Sequence, residues 1–278
     1  MPHSPLSSRK RFRRLHPKAT KVARRPRPFR LAHISDLHVG EDSAHDFAAA
    51  SLADALVHAD VDCIALTGDV TNTGALHELQ LFWQLFGPLR QKLFVVPGNH
   101  DRGTDNAGLS FMVNAAAAAD VGPLRLICLD STQPGNEVMV FAWGGLEHAQ
   151  VEFAATAARA PLLPVVLLHH HVLPAEAGED VLAALSDAAK LPFLRQADNG
   201  RLLLARLPGR ALVLHGHRHM PTEKQLPNGV RVYNAGSTTE LGRFRLFEVS
   251  EAGVSVSWVA SPTRWTPAAQ AAMSAAPQ

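Results

Sequence analysis

From residue 29 onward the chain repeats one pattern, a short and nearly unbroken aliphatic run followed by a longer stretch with apolar residues at helical spacing. The aliphatic runs cover 29–35, 61–68, 92–98, 124–130, 163–169, 211–216 and 230–236. Runs without strict alternation suit strands buried on both faces. The stretches between them predict helices over 45–59, 75–90, 146–160 and 178–190, the last favoured by Glu179 and Asp180 near its start. A closing pair of runs, 244–250 and 254–260, joined by Glu251-Ala252-Gly253, reads as a hairpin. Strands alternating with helices imply layered sheets with helices outside. No repeat or linker interrupts residues 31–262, so one domain over 29–262 is expected. The tail 263–278, rich in Ala, Pro and Gln, is expected to be flexible.

Composition narrows the class. A chain of 278 residues can bury a large α/β core. Its apolar runs fall far short of the roughly 18 residues that a membrane span needs. Cys63 and Cys128 both lie inside aliphatic runs and read as buried thiols of a reducing, cytoplasmic compartment. The net charge of +2 conceals an asymmetry. Residues 1–30 carry 11 Lys/Arg and no acid, leaving 16 basic against 25 acidic residues beyond them. No apolar core segment follows the arm's charges, so a secretory signal is not expected. Residues 1–28 read as a disordered basic arm, suited to nucleic acid or an acidic surface, or merely solvated.

The polar residues with chemical potential collect where the strand runs stop. Asp36 and His38 follow the first run, and Asp69 follows Gly68 after the second. Asn99, His100 and Asp101 follow the third, His169, His170 and His171 the fifth, and His215, His217 and His219 surround the sixth. In an open α/β sheet the carboxyl ends of strands converge on one edge, where ligands bind. Taken singly, each group has a structural reading: Gly-Asp starts turns, and an Asp and a His two apart are common. Five such groups at strand ends are not, and carboxylate, amide and imidazole donors without thiolates suit Mn, Fe, Zn or Co. His33, inside the first run, reads as a packed histidine, and Asp130 and His215 read as structural. Asn72 and His45 are candidates for the pocket lining, and Arg218 for a phosphate contact.

In this order the groups Asp36-Leu37-His38, Gly68-Asp69, Gly98-Asn99-His100-Asp101, His169 and Gly216-His217-Arg218-His219 resemble the calcineurin-like metallophosphoesterase superfamily. The resemblance spans about residues 30–240 and implies a four-layer αββα sandwich of two mixed β-sheets flanked by helices. It implies a two-metal hydrolase, with Asp36, His38 and His219 as ligands of one ion and Asn99, one of the three consecutive histidines and His217 as ligands of the other. Asp69 would bridge them, and a hydroxide between the ions would attack phosphorus in line. His100 would act as general acid, with Asp101 orienting its imidazole. The family's ligand is usually the first histidine after the aliphatic run, His169, although a bulge would hand the role to His170. His170, Asn72 and Arg218 are then candidate substrate contacts.

The pattern is most similar to the class III cyclic-nucleotide phosphodiesterase branch. Phosphodiester hydrolysis, with a 3′,5′-cyclic nucleotide as the first candidate, is therefore expected, alongside phosphomonoesters. Val172 is a departure, since related chains have proline soon after the histidines. A nucleotide-sugar or lipid-precursor pyrophosphatase and a DNA nuclease would use the same metal site. A non-catalytic scaffold would be expected to lack ligands, and none is missing.

Overall fold

The computed structural model describes residues 27–132, 142–173 and 196–261. The expected helix at 178–190, the tail and almost all of the basic arm lie outside the described residues. Among the described residues, eleven strands form two mixed sheets. The first sheet contains β1 (Phe29–Ile34), β2 (Cys63–Thr67), β3 (Leu93–Val96), β10 (Arg243–Ser250) and β11 (Gly253–Ala260), in the order β11-β10-β1-β2-β3. The second contains β4 (Ala116–Val121), β5 (Leu124–Leu129), β6 (Leu163–Leu167), β7 (Leu212–His215), β8 (Thr222–Gln225) and β9 (Arg231–Asn234), in the order β4-β5-β6-β7-β9-β8. In the first sheet β1, β2 and β3 are parallel, and in the second β5, β6, β7 and β9 are parallel.

Burial along the strands explains the missing alternation in the sequence. Leu31, Cys63, Ala65 and Phe247 of the first sheet face Leu124, Leu126, Val165, Leu167, Leu212 and Leu214 of the second, forming the core between the sheets. Their neighbours Ala32, Ile34, Ile64 and Leu66 turn outward and pack under α1 (Ser43–His58) and α2 (Leu76–Phe86). Ile127, Leu129, Val166 and Val213 turn the other way, beneath α3 (His148–Ala157) and α4 (Gly200–Arg206). Both faces of each central strand are covered, so both must be apolar. The layers are helix, sheet, sheet, helix.

Element boundaries follow local chemistry. The helix expected from 45 begins at Ser43, because the Asp42 carboxylate accepts from the amides of Ala44 and His45. The helix expected to run to 90 stops at Phe86 and passes into a 3₁₀ turn over Gly87–Lys92, where Pro88 supplies no amide proton. Two strands escape the sequence pattern. β4 is a run of alanines, a helix-favouring composition held extended by its antiparallel ladder from Ala116↔Leu129 to Val121↔Leu124. β8 reads Thr-Glu-Lys-Gln and is an exposed edge strand, so no apolar signal marks it. No described helix is long and apolar enough to cross a membrane.

Candidate metal centre

The residues that sequence grouped at strand ends stand together in space. Asp36 and His38 leave β1, Asp69 leaves β2, Asn99–Asp101 follow β3, His169–His171 follow β6, and His217 and His219 follow β7. The backbone there takes an uncommon form. Eight described non-glycine residues have positive φ, and five of them are Asp36 (53°), His38 (47°), Asp69 (49°), His217 (76°) and His219 (52°). Left-handed backbone is unfavourable for residues with a Cβ and persists where the surroundings enforce it, as at functional sites. The turn after β2 also needs glycine: at Gly68, with φ at 89°, a Cβ would lie 2.5 Å from His169 Nδ1 and 2.8 Å from the Gly98 amide. At Gly216 a Cβ would collide with Ser35 Oγ and the Asp36 carboxylate.

Side chains from different strands meet here. His38 Nε2 lies 3.1 Å from His219 Nε2, which is 3.6 Å from Asp36 Oδ1. His169 Nε2 lies 3.2 Å from Asp69 Oδ2, 3.1 Å from Asn99 Oδ1 and 3.2 Å from His217 Nδ1. His217 Nδ1 is also 3.1 Å from Asn99 Oδ1, and Asp69 Oδ2 stands 3.9 Å from His38 Nε2. Asp69 therefore lies between two groups, Asp36/His38/His219 on one side and Asn99/His169/His217 on the other. Both Asp36/His38/His219 and Asp36/Asp69/His169 have donor atoms within 4.8 Å of one another.

The protons on these rings can be assigned from their partners, because a carbonyl or carboxylate only accepts. His169 Nδ1 donates to the Thr67 carbonyl at 2.8 Å, so in the neutral ring Nε2 carries the lone pair. His219 Nδ1 donates to Glu240 Oε1 at 2.9 Å, again leaving a lone pair on Nε2. The centre thus brings carboxylate oxygens, an amide oxygen and imidazole lone pairs to within about 3–4 Å of each other. Such a set repels itself unless a cation or a proton lies between its members, and the donors fit a hard or borderline metal ion.

Titration behaviour agrees with that charge distribution. Burial would push Asp69 up, but His169 and His100 beside it hold its carboxyl well below the usual range. Burial would push His169 down, yet Asp69 overrides this and raises its pKa to about 9. Without metal a proton on His169 takes the place of a cation. Burial lowers His38 to about 3 and raises Asp36.

His170 differs from its neighbour. Ser131 Oγ accepts from the amides of His169 (3.2 Å) and His170 (3.1 Å), and its own proton is left for His170 Nδ1 at 2.9 Å. The His170 ring therefore carries its proton on Nε2, which is buried and has no hydrogen-bond partner among the described residues. His171 stacks on His217 with ring centroids 5.9 Å apart.

The structure reassigns one expected contact. Asp101 does not orient His100. Its carboxylate accepts from Gly98 N (2.9 Å), Val70 N (3.3 Å), Thr71 N (2.9 Å) and Thr71 Oγ1 (2.6 Å), which ties the β2 and β3 turns together. His100 Nδ1 donates to the Asn72 main-chain carbonyl at 2.6 Å, and the His100 amide donates to Asp69 Oδ1 at 3.0 Å. Asn72 thus enters the site through its backbone. Arg218 is half-buried between His217 and His219 in sequence. His33 is buried against Thr67 Oγ1 at 3.0 Å, and the Asp130 carboxylate pairs with Arg102. His215 bonds the Gly216 carbonyl, and His45 pairs with Asp42 and Glu41 on the first turn of α1.

Several supporting residues carry no signal in the sequence. Ser131, Glu240 and the segment Ser237–Thr239 lie in ordinary turn sequences, and only their contacts mark them. Ser237 Oγ donates to the Asp36 carbonyl at 3.0 Å, and Thr238 Oγ1 accepts from the Ser35 amide at 2.9 Å.

The chain is similar to known proteins in sequence and in fold. Residues 29–224 match the family model described as calcineurin-like phosphoesterase. A protein of Vesicomyosocius okutanii subsp. Calyptogena okutanii (strain HA), described as a probable cyclic nucleotide phosphodiesterase, is 23% identical over 247 residues, covering 83% of this chain and 99% of its own. A 3′,5′-cyclic adenosine monophosphate phosphodiesterase of Pseudomonas aeruginosa is 29% identical over 212 residues, covering 70% of this chain and 71% of that one. The crystal structure of a dimetal phosphatase from Danio rerio superposes with a TM-score of 0.63 at 12% identity, over 85% of this chain and all of the other. At that identity the likeness speaks for the fold.

Proposed function

The chain belongs to the calcineurin-like phosphoesterase family and is a metal-dependent phosphoric ester hydrolase, and from that premise we propose that it hydrolyses phosphodiesters, with 3′,5′-cyclic nucleotides as the first candidates. Two divalent or trivalent ions, drawn from Mn, Fe and Zn, would be held by this site. Asp36, His38, Asp69 and His219 would hold one, and Asp69, Asn99, His169 and His217 the other. The observation that carries this reading is the convergence of lone pairs from five strand ends on the two sides of Asp69. Among the three consecutive histidines the tautomers support His169 as the ligand. With Nδ1 held by the Thr67 carbonyl, His169 would present an Nε2 lone pair toward Asp69, Asn99 and His217 once a cation displaces its proton, whereas Ser131 leaves a proton on His170 Nε2.

When bound, the ions would supply Lewis acidity toward the phosphate oxygens and make a water acidic enough to act as nucleophile at neutral pH. The chain's own residues supply orientation and proton transfer. The Asn72 carbonyl fixes the His100 ring through Nδ1–H, which leaves Nε2 toward the leaving oxygen; the ring would deliver a proton from Nε2 as the imidazolium, with both nitrogens protonated. Asp101 contributes by locking the turns that present Asp69 and His100. His170, Asn72 and Arg218 are the candidate contacts to substrate. The phosphodiester preference rests on the relatives described as cyclic-nucleotide phosphodiesterases.

The test is turnover after reconstitution with Mn²⁺, comparing cyclic AMP, bis(p-nitrophenyl) phosphate, p-nitrophenyl phosphate, a nucleotide sugar and single-stranded DNA. Faster cleavage of the diesters, cyclic AMP among them, supports the proposal. Preference for the monoester, the pyrophosphate or DNA overturns the substrate assignment. His100→Ala should lower kcat by about 10²–10⁴-fold while metal content stays at the wild-type level, and loss of metal would show that His100 is a ligand instead.

A further inference from the structure

One segment of the chain holds both halves of the Asp36/His38/His219 group. The segment runs from Ser237 into the short helix α5 (Thr238–Leu241). Towards the β1 turn, Ser237 Oγ donates to the Asp36 carbonyl at 3.0 Å, and Thr239 Oγ1 lies 3.3 Å from the carbonyls of Asp36 and Leu37. Thr238 closes a pair of bonds with Ser35, its Oγ1 accepting from the Ser35 amide at 2.9 Å and its amide donating to the Ser35 carbonyl at 3.0 Å. Towards the β7 turn, Glu240 Oε1 accepts from His219 Nδ1 at 2.9 Å. Ser237 also caps α5 by accepting from the Glu240 amide, so the residues that touch the two turns share one rigid unit.

The two sides of Asp69 are supported differently. On the Asn99/His169/His217 side, His169 is fully buried and its outer nitrogen rests on a neutral main-chain carbonyl, that of Thr67. On the other side, His219 is the more exposed ring, its side chain 35% exposed, and its outer nitrogen rests on a carboxylate. A half-buried imidazole whose inner nitrogen faces the centre keeps its direction through its outer partner, and on His219 that partner is Glu240.

We propose that Glu240 is a positioning residue that fixes the His219 tautomer and ring direction, so that it controls whether the Asp36/His38/His219 side of the centre is occupied by a divalent cation. A carboxylate on the outer N–H of a ligating histidine sets which nitrogen faces the ion and makes that nitrogen a better donor. The inference rests on the two-ion reading above, and it adds that the two ions are not held equally: occupancy beside His219 depends on Glu240, and occupancy beside His169 does not.

The experiment measures metal binding by the full-length protein, independently of turnover. Metal-free wild type, Glu240→Gln, Glu240→Ala and His219→Ala are titrated with Mn²⁺, with stoichiometry and affinity read by calorimetry and by metal content after gel filtration. Wild type should take up two equivalents. Glu240→Ala should weaken one of them by about 10–100-fold and leave the other within two-fold, which matches the equivalent that His219→Ala loses. Glu240→Gln, whose amide oxygen still accepts from Nδ1–H, should fall between wild type and Glu240→Ala. If Glu240→Ala fails to fold, the Gln variant alone decides, because a charge-free acceptor must still bind the affected ion more weakly than wild type. Wild-type affinity for both ions in whichever Glu240 variant folds overturns the proposal, as does equal weakening of both ions. A wild type that binds a single ion overturns the two-ion reading itself, a result distinct from either.

Discussion

Ala65 and Asp69 are four residues apart, yet they belong to regions with opposite requirements. Ala65 lies in the core between the sheets, where the backbone is extended, the packed side chains are almost all apolar and contact is the stabilising force. Asp69 lies on the rim at the strand ends, where the backbone turns left-handed and buried carboxylates and imidazoles face one another. The core would be complete in any sandwich of this kind. The rim holds carboxylates and imidazoles within about 3–4 Å of one another, a set that a cation or a proton must balance, on turns fixed by the strands beneath. Stability and chemistry are thus carried by successive residues of the same strands.

The largest effect that would break this division comes from Asp69→Asn. It removes the charge shared by both sides of the centre and should lower kcat/KM by at least about 10²–10³-fold, with metal content falling in parallel. A variant that kept both metal and activity would show that the rim does not depend on a central carboxylate.

Leu214→Ala is the counterpart in the core. It should reduce unfolding free energy by about 2–5 kcal/mol, measured by denaturant titration, while the metal bound per folded molecule stays unchanged. Lost metal in the folded fraction would mean that the two regions are not separable.

A third prediction concerns the rim's proton. Asp69 raises His169 to about 9, so at neutral pH the metal-free centre holds a proton that the ion must displace. Metal affinity should therefore fall as pH is lowered, by about ten-fold per unit below pH 9 for one displaced proton. Affinity independent of pH between 6 and 8 would rule out this exchange.

The smallest effect lies at the border between the regions. His33 and His215 are buried, and burial holds them neutral, His215 down to about 4 and His33 well below its usual value. A histidine whose pKa is depressed in the folded state contributes nothing unfavourable above its unfolded value of about 6.5. As pH falls below that, the unfolded chain takes up the proton first, and each such group costs about 1.4 kcal/mol per pH unit until its folded pKa is reached. Unfolding free energy of the metal-free protein should thus decline from about pH 6.5 downward, and His33→Asn and His215→Asn should flatten the slope.

Much of this was legible in the sequence. The seven central runs and the closing hairpin all became strands, because strands buried on both faces leave runs that are nearly all apolar, and the hairpin pair is marked by the turn between its two runs. The candidate ligands were legible for a related reason. Polar residues that stop a buried strand must lie at its end, and parallel strands bring their ends to one edge. β4 was not legible, since a row of alanines takes its conformation from the ladder it joins. Nor were the partners of the imidazoles. Ser131, the Thr67 and Asn72 carbonyls and Glu240 lie 21–102 residues from the imidazoles they bond, and no local pattern marks them.

The sequence by itself determined which residue types stand at the strand ends and in what order, since periodicity and spacing are local properties. Tertiary structure alone decided what each of those residues can do. His169 and His170 are the same residue on consecutive positions. One rests on a carbonyl and offers a lone pair, and the other rests on a hydroxyl and offers a proton. That difference is set by atoms brought from β2 and from the end of β5, and no local pattern contains it.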